Sequence, residues 1–125
     1  MSAHQIAEIA PFIREAFEYA RRHPAAKKDL CATYDVVGVE GAWAQVTSSK
    51  EMNVAYPREN SPERELGHVI KHLSGAKLIS WEERKYATWS FTSANATEVA
   101  KVLDQVLAYL FNLGDYSVDA QLEQL

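Results

Sequence analysis

The chain has 125 residues, within the ~100–200 that one domain usually takes, so 1–125 reads as a single domain. Hydrophobic residues make up 47% and charged residues 24%, a globular balance that excludes disordered, collagen-like and linker-like chains. The net charge of −4 argues against non-specific nucleic-acid binding, and a single cysteine excludes an internal disulfide or a multi-cysteine metal site within one chain.

Met1-Ser2-Ala3-His4 has no basic opening and no apolar stretch behind it, so no secretory signal is expected. No apolar run approaches the ~18 residues a membrane span needs. With one cysteine, this points to a reducing cytoplasm. The first helix is expected from about Ser2 to Arg22, with Ser2 and Gln5 as a capping box. Ile6, Ile9, Ala10, Ile13, Phe17 and Ala20 form one face, and Phe12, Ala16 and Tyr19 form a neighbouring stripe. Pro11 removes a hydrogen bond to the Ala7 carbonyl, which predicts a kink at Ile9–Ala10 or a helix starting near Pro11. His23-Pro24 ends it.

Three strands are expected next, Ala32 to Val39, Ala42 to Ser48 and Met52 to Tyr56, with turns at Glu40-Gly41 and Ser49-Lys50. Ser61 and Pro62 open a second helix whose buried stripe is Leu66, Val69, Ile70 and Leu73, stopped by Gly75. Lys77 to Trp81 and Lys85 to Thr92 read as a hairpin turning at Glu82-Glu83-Arg84. Asn95 with Glu98 caps a third helix, with Val99, Val102, Leu103, Val106, Leu110 and Leu113 on one face and Gly114 as its end. In the tail, Tyr116, Val118, Ala120 and Leu122 alternate with polar residues, the pattern of a short edge strand.

The order is α-β-β-β-α-β-β-α with a possible short C-terminal edge strand. From Met52 onward it also reads β-α-β-β-α-β, the ferredoxin-like order. Short turns favour pairing between neighbours. The expected fold is therefore α+β, an antiparallel sheet of about five strands with helices packed on one face. Element order, acidity and size are similar to those of the small acidic secretion chaperones. That similarity, carried by element order and by no residue motif, implies an adaptor- or chaperone-like role.

Glu65, His68 and His72 share a stripe of the second helix, the sharpest metal-like spacing in the chain. The pattern is not HExxH, and Lys71 opposes a cation, so a polar surface is the plainer reading and no metal or cofactor is expected. Arg21, Arg22, His23, Lys27 and Lys28 form a basic helix end. Asp104, Asp115, Asp119 and Glu123 make the C-terminal part acidic. Cys31 has no base placed beside it by local geometry, and Glu82-Glu83 falls in a turn. No catalytic residue is assigned.

The strand aromatics are more informative. Ala87, Trp89 and Phe91 share one side of their strand, and Ala44 and Val46 point inward on theirs. That leaves Trp43, Gln45, Thr47, Tyr86 and Thr88 on the outer face, a mixture that interface cores use. The expectation is a non-enzymatic cytoplasmic protein-interaction module acting as a homodimer, with a second protein as a further partner. Its interface residues are Phe12, Tyr19, Trp43, Gln45 and Tyr86. The rival is a small-ligand-binding protein or enzyme with a pocket between the aromatic sheet and the first helix, given polarity by His68, His72 or Arg22.

Overall fold

Alternation along the strands sorts the side chains into a covered and an open face of one sheet. A computed structural model describes residues 3–125, so the expected cap at Ser2 lies outside the described residues. The elements are α1 (Ala3–Arg22), β1 (Leu30–Val36), β2 (Trp43–Thr47), β3 (Glu51–Ala55), α2 (Pro62–Ile70), β4 (Lys77–Glu82), β5 (Tyr86–Ser90), α3 (Ala96–Phe111) and β6 (Val118–Gln124). The six strands form one antiparallel sheet in the order β4-β5-β3-β2-β1-β6. The class is α+β. No helix is long and apolar enough to cross a membrane among the described residues.

This order settles the two candidate arrangements. The succession β4-β5-β3 is what a ferredoxin-like unit beginning at β3 would show. The place beside β3 that such a unit gives to its last strand is held by β2, through the tight turn at Lys50 (φ 66°). The tail strand instead pairs with β1 at the far edge, from Leu30↔Gln124 to Val36↔Val118. It is as long as β1, not a short addition.

One core lies between the sheet and the helices. Ala32, Tyr34, Ala44, Val46, Met52, Val54 and Trp89 rise from the strands to meet Ile9, Ile13, Leu66, Val99, Leu103 and Leu107 from the helices, and Leu73 just after α2. Truncating one of the fully buried leucines costs about 2–5 kcal/mol. The Tyr34 hydroxyl donates to the Ile9 carbonyl and so ties α1 to β1.

Several boundaries differ from the sequence reading. α1 runs unbroken through Pro11, which lies on its exposed side. β1 stops at Val36 rather than Val39, because the chain turns through Gly38 and Gly41 at φ of 80° and 82°. α3 ends at Phe111, where Asn112 takes the left-handed cap (φ 52°) before Gly114 is reached. Its capping box at Asn95 and Glu98 forms as expected, both bonds at 2.9 Å. Ser61 sits at the start of α2 without a side-chain cap bond, Pro62 following it. Gly75 holds φ 70° and lies so close to Thr92 that an added Cβ would fall 2.3 Å from the Thr92 Oγ1.

Candidate functional site

The open face of the sheet carries the residues that the strand alternation assigns to it. Trp43, Gln45 and Tyr86 are half-buried there, with Thr33, Thr47, Asn53 and Thr88. A hydrogen-bonded row crosses four strands. The Thr88 hydroxyl donates to Asn53 Oδ1 (2.8 Å), Asn53 Nδ2 donates to Gln45 Oε1 (3.4 Å), and Gln45 Nε2 donates to Thr33 Oγ1 (3.5 Å). The row fixes both amides, and each keeps one N–H and one oxygen lone pair beyond these bonds. Carboxylates surround it. Asp35 stands directly opposite Asp119, and Glu123 opposite Cys31.

Phe12 and Tyr19 are placed elsewhere, on the helix side of the sheet. Phe12 is half-buried against the chain's own core. The Tyr19 hydroxyl accepts from Gln124 Nε2 at 2.8 Å, and the Tyr19 ring lies 4.8 Å from that of His23. The Glu8 carboxylate accepts from the Val118 amide at 3.2 Å. Tyr19, at the end of the second apolar stripe of α1, therefore meets β6. The structure thus divides the five expected interface residues into two groups on opposite faces.

The most exposed apolar side chains of the sheet lie on β4. Ile79 is 45% and Trp81 38% exposed, whereas the other outer strand, β6, shows polar residues on its exposed positions. A β-bulge falls between Leu78 and Ser80. Trp81 meets Tyr56 edge to face at 6.2 Å. Beside β4, Ile70, Leu73, Ala76, Leu78 and Trp89, with Glu63 and Lys71, line a groove of about 490 Å3 against α2.

The second-helix histidines do not converge. His68 borders a groove with Asp104, Tyr109 and Asp115, its ring 5.7 Å from that of Tyr109. His72 borders a different depression with Glu98, Lys101 and Gln105. Glu65 is committed to neighbours. It accepts from Asn60 Nδ2 (3.1 Å) and Tyr109 Oη (3.1 Å) and pairs with Arg58 (3.4 Å). The Asn60 and Tyr109 bonds hold its carboxyl below the usual range. No group of three or more potential ligands is gathered for a metal among the described residues. Arg22 and Arg21 both pair with Glu18, at 3.8 Å and 2.6 Å. Between the sheet and α1, Ile9, Ile13, Ala16 and Tyr34 are buried, while a cavity of about 530 Å3 opens beside the second half of α1, lined by Phe17, Glu18, Arg21, Ser48, Lys50 and Asn95. Cys31 is buried, and burial pushes its thiol up, away from the thiolate a nucleophile needs.

One network had no signal in the sequence. Gln5 is 1% exposed, and its Nε2 donates to Asp115 Oδ1 (3.0 Å) and the Tyr116 carbonyl (2.6 Å). The Tyr116 hydroxyl donates to the buried Asp104 at 2.6 Å. These bonds fasten the turn before β6 to α1 and α3. The partners are separated by up to 111 positions in the chain, so no local spacing could reveal them. Ile79 and Trp81, by contrast, were visible as apolar residues on a hairpin arm, but a hairpin does not say which arm becomes the edge.

No protein-family model matches the chain, and neither a curated protein nor a solved structure does so.

Proposed function

We propose that this protein is a non-enzymatic, adaptor- or chaperone-like interaction module that works as a homodimer closed through β4. The observation that carries the reading is the pair Ile79 and Trp81, exposed on an edge strand. Exposed apolar patches of this kind mark contact sites, and a twofold dimer is the commonest way to cover one.

The strand is also complementary to itself. Laid antiparallel on a copy about an axis between Ile79 and Ser80, it puts Leu78 opposite the partner's Trp81 and Lys77 opposite the partner's Glu82, whose carboxylate already pairs with Lys85 at 2.6 Å. The bulge at Leu78/Ser80 breaks the regular ladder, which favours a closed side-chain contact over open-ended strand addition. The ion pairs are exposed and contribute only about 0–1 kcal/mol each, so the apolar contact dominates. The separated histidines, the committed Glu65 and the buried thiol support a reading without catalysis.

Sedimentation equilibrium at micromolar concentration tests this reading. The expected result is a dimer little changed between low and high salt. Ile79→Lys with Trp81→Glu should give a folded monomer. A wild-type monomer throughout the concentration range overturns the dimer.

A further inference from the structure

The open sheet face is distinct from β4, and its chemistry specifies a different occupant. We infer that it docks an extended, basic polypeptide segment of a partner, laid across the Asn53–Gln45 row with its cations towards β1 and β6. The inference rests on the interaction-module reading but not on the dimer contact.

Three features lead to this occupant. The first is the hydrogen-bonded row from Thr88 to Thr33. Each amide is held by its neighbours and presents a donor and an acceptor, which is what a peptide backbone requires. Because the row is fixed before binding, little side-chain freedom remains to be lost. The second is Trp43 and Tyr86, half-buried at the margin of the row, which offer rings with polar tips to a partner's side chains.

The third feature is charge. Asp35 and Asp119 are exposed and are direct cross-strand partners, and Glu123 lies on the same side of β6. Like charges placed opposite each other on neighbouring strands are destabilising on their own account. A cation from outside reverses the sign of that interaction. Glu51 and Glu82 share this side of the sheet by register, but Lys77 lies with them and Lys85 pairs with Glu82 at 2.6 Å, so the acidic end of the face is the one at β1 and β6. The negative charge of the face is thus concentrated over β1 and β6, and it selects a basic segment there. In an extended segment alternate residues point the same way. A lysine or arginine at every second position would reach the carboxylates while the backbone follows the amides.

The test uses the full chain and a fluorescein-labelled peptide alternating lysine with threonine, followed by anisotropy at low and physiological salt. Saturable binding is expected, with none for the matching glutamate–threonine peptide. Asp35→Asn with Asp119→Asn should weaken binding about tenfold, some 1.4 kcal/mol. Glu15→Gln with Glu63→Gln, exposed acids on α1 and α2, should not weaken it. Peptide binding should also shift tryptophan emission, and Trp43→Phe should remove that shift.

The inference is overturned if no saturable binding occurs or if both acid pairs matter equally. An unchanged affinity in the Asp35/Asp119 variant, or a changed oligomeric state in its place, overturns it as well. Sedimentation of the same variants separates the two readings. Peptide binding by a monomer removes only the dimer, and a dimer that ignores the peptide removes only this inference.

Discussion

β4 and β6 are the two edges of one sheet, and they are finished in different ways. β6 pairs with the full length of β1, is covered on its inner side by α1, and shows Asp119, Gln121 and Glu123 to the outside. Charged side chains on an edge repel a second strand of the same kind. β4 carries a bulge, borders a groove, and leaves Ile79 and Trp81 in water. An edge guarded by like charge can serve as a wall of the fold. An apolar edge backed by a groove is unfinished until something covers it. The sheet thus has one side that belongs to the monomer and one that we assign to the assembly.

The largest expected effect breaks that contrast most directly. Deleting 117–125 uncovers the β1 edge and Tyr19 on α1, and it removes the bonds from Val118 to Glu8 and from Gln124 to Tyr19. Urea melts should show a loss beyond about 4 kcal/mol, the range of exceptional changes in which a whole packing surface is lost. Ile79→Lys with Trp81→Glu should stay within about 1 kcal/mol of the parent, measured on the monomer. Equal losses would mean that β4 is as much a part of the monomer as β6.

The tyrosines sharpen the contrast by titration. Tyr34 and Tyr116 fasten the β6 end, through the Ile9 carbonyl and through Asp104, while Tyr56 donates to the Asn60 carbonyl at the β4 end. Burial pushes the Tyr56 hydroxyl up to about 12. Burial also raises Tyr34, partly offset by the Ile13 backbone, and it raises Tyr116, where the Asp104 carboxylate adds to the effect. All three native pKa values lie above the unfolded value of about 10. Between the two, the native state holds more protons than the unfolded state, so stability is intact below pH 10 and falls as pH rises. Each tyrosine adds about 1.4 kcal/mol per pH unit to that fall. Circular dichroism should therefore hold to pH 10 and be lost as pH rises beyond it, together with the ionisation of these three hydroxyls. Tyr34→Phe and Tyr116→Phe should each flatten the alkaline slope.

Much of this architecture was legible in the sequence, because helical and alternating periods report burial directly. The Asn95–Glu98 box, the Leu66–Leu73 stripe and the outer placement of Trp43, Gln45 and Tyr86 all follow from local spacing. Strand order was less accessible. Whether β3 takes β2 or the tail as its second neighbour depends on a competition between a tight turn and a distant segment. The surplus apolar stripe of α1 is the instructive case. Its width was readable, and it pointed to a partner. The structure sets β6 beside one end of it, where Gln124 donates to the Tyr19 hydroxyl. Gln5 fits a capping box with Ser2 by spacing, whereas its distant acceptors, Asp115 and the Tyr116 carbonyl, have no local signature.

The smallest expected effect concerns the open face, where stability and binding should move in opposite directions. Asp35 and Asp119 face each other across β1 and β6. Replacing Asp35 by the isosteric Asn removes one charge of a like pair and keeps the side-chain volume. The gain should be about 0.2–1 kcal/mol, the usual size of a cross-strand pair term. It should be visible in urea at low ionic strength and should shrink towards zero at ~1 M salt, where the screening length falls to about 3 Å. The same substitution removes one of the carboxylates assigned to a basic partner, so the more stable variant should hold the lysine–threonine peptide less well. If Asp35→Asn destabilises the protein, the carboxylate makes a favourable contact within its own chain, and the carboxylate pair is then a structural feature rather than one kept for a partner. If it stabilises the protein and leaves peptide binding intact, the repulsion is real but has another purpose. Only the combination of higher stability and weaker binding fits a face whose like charges are separated by a cation from outside.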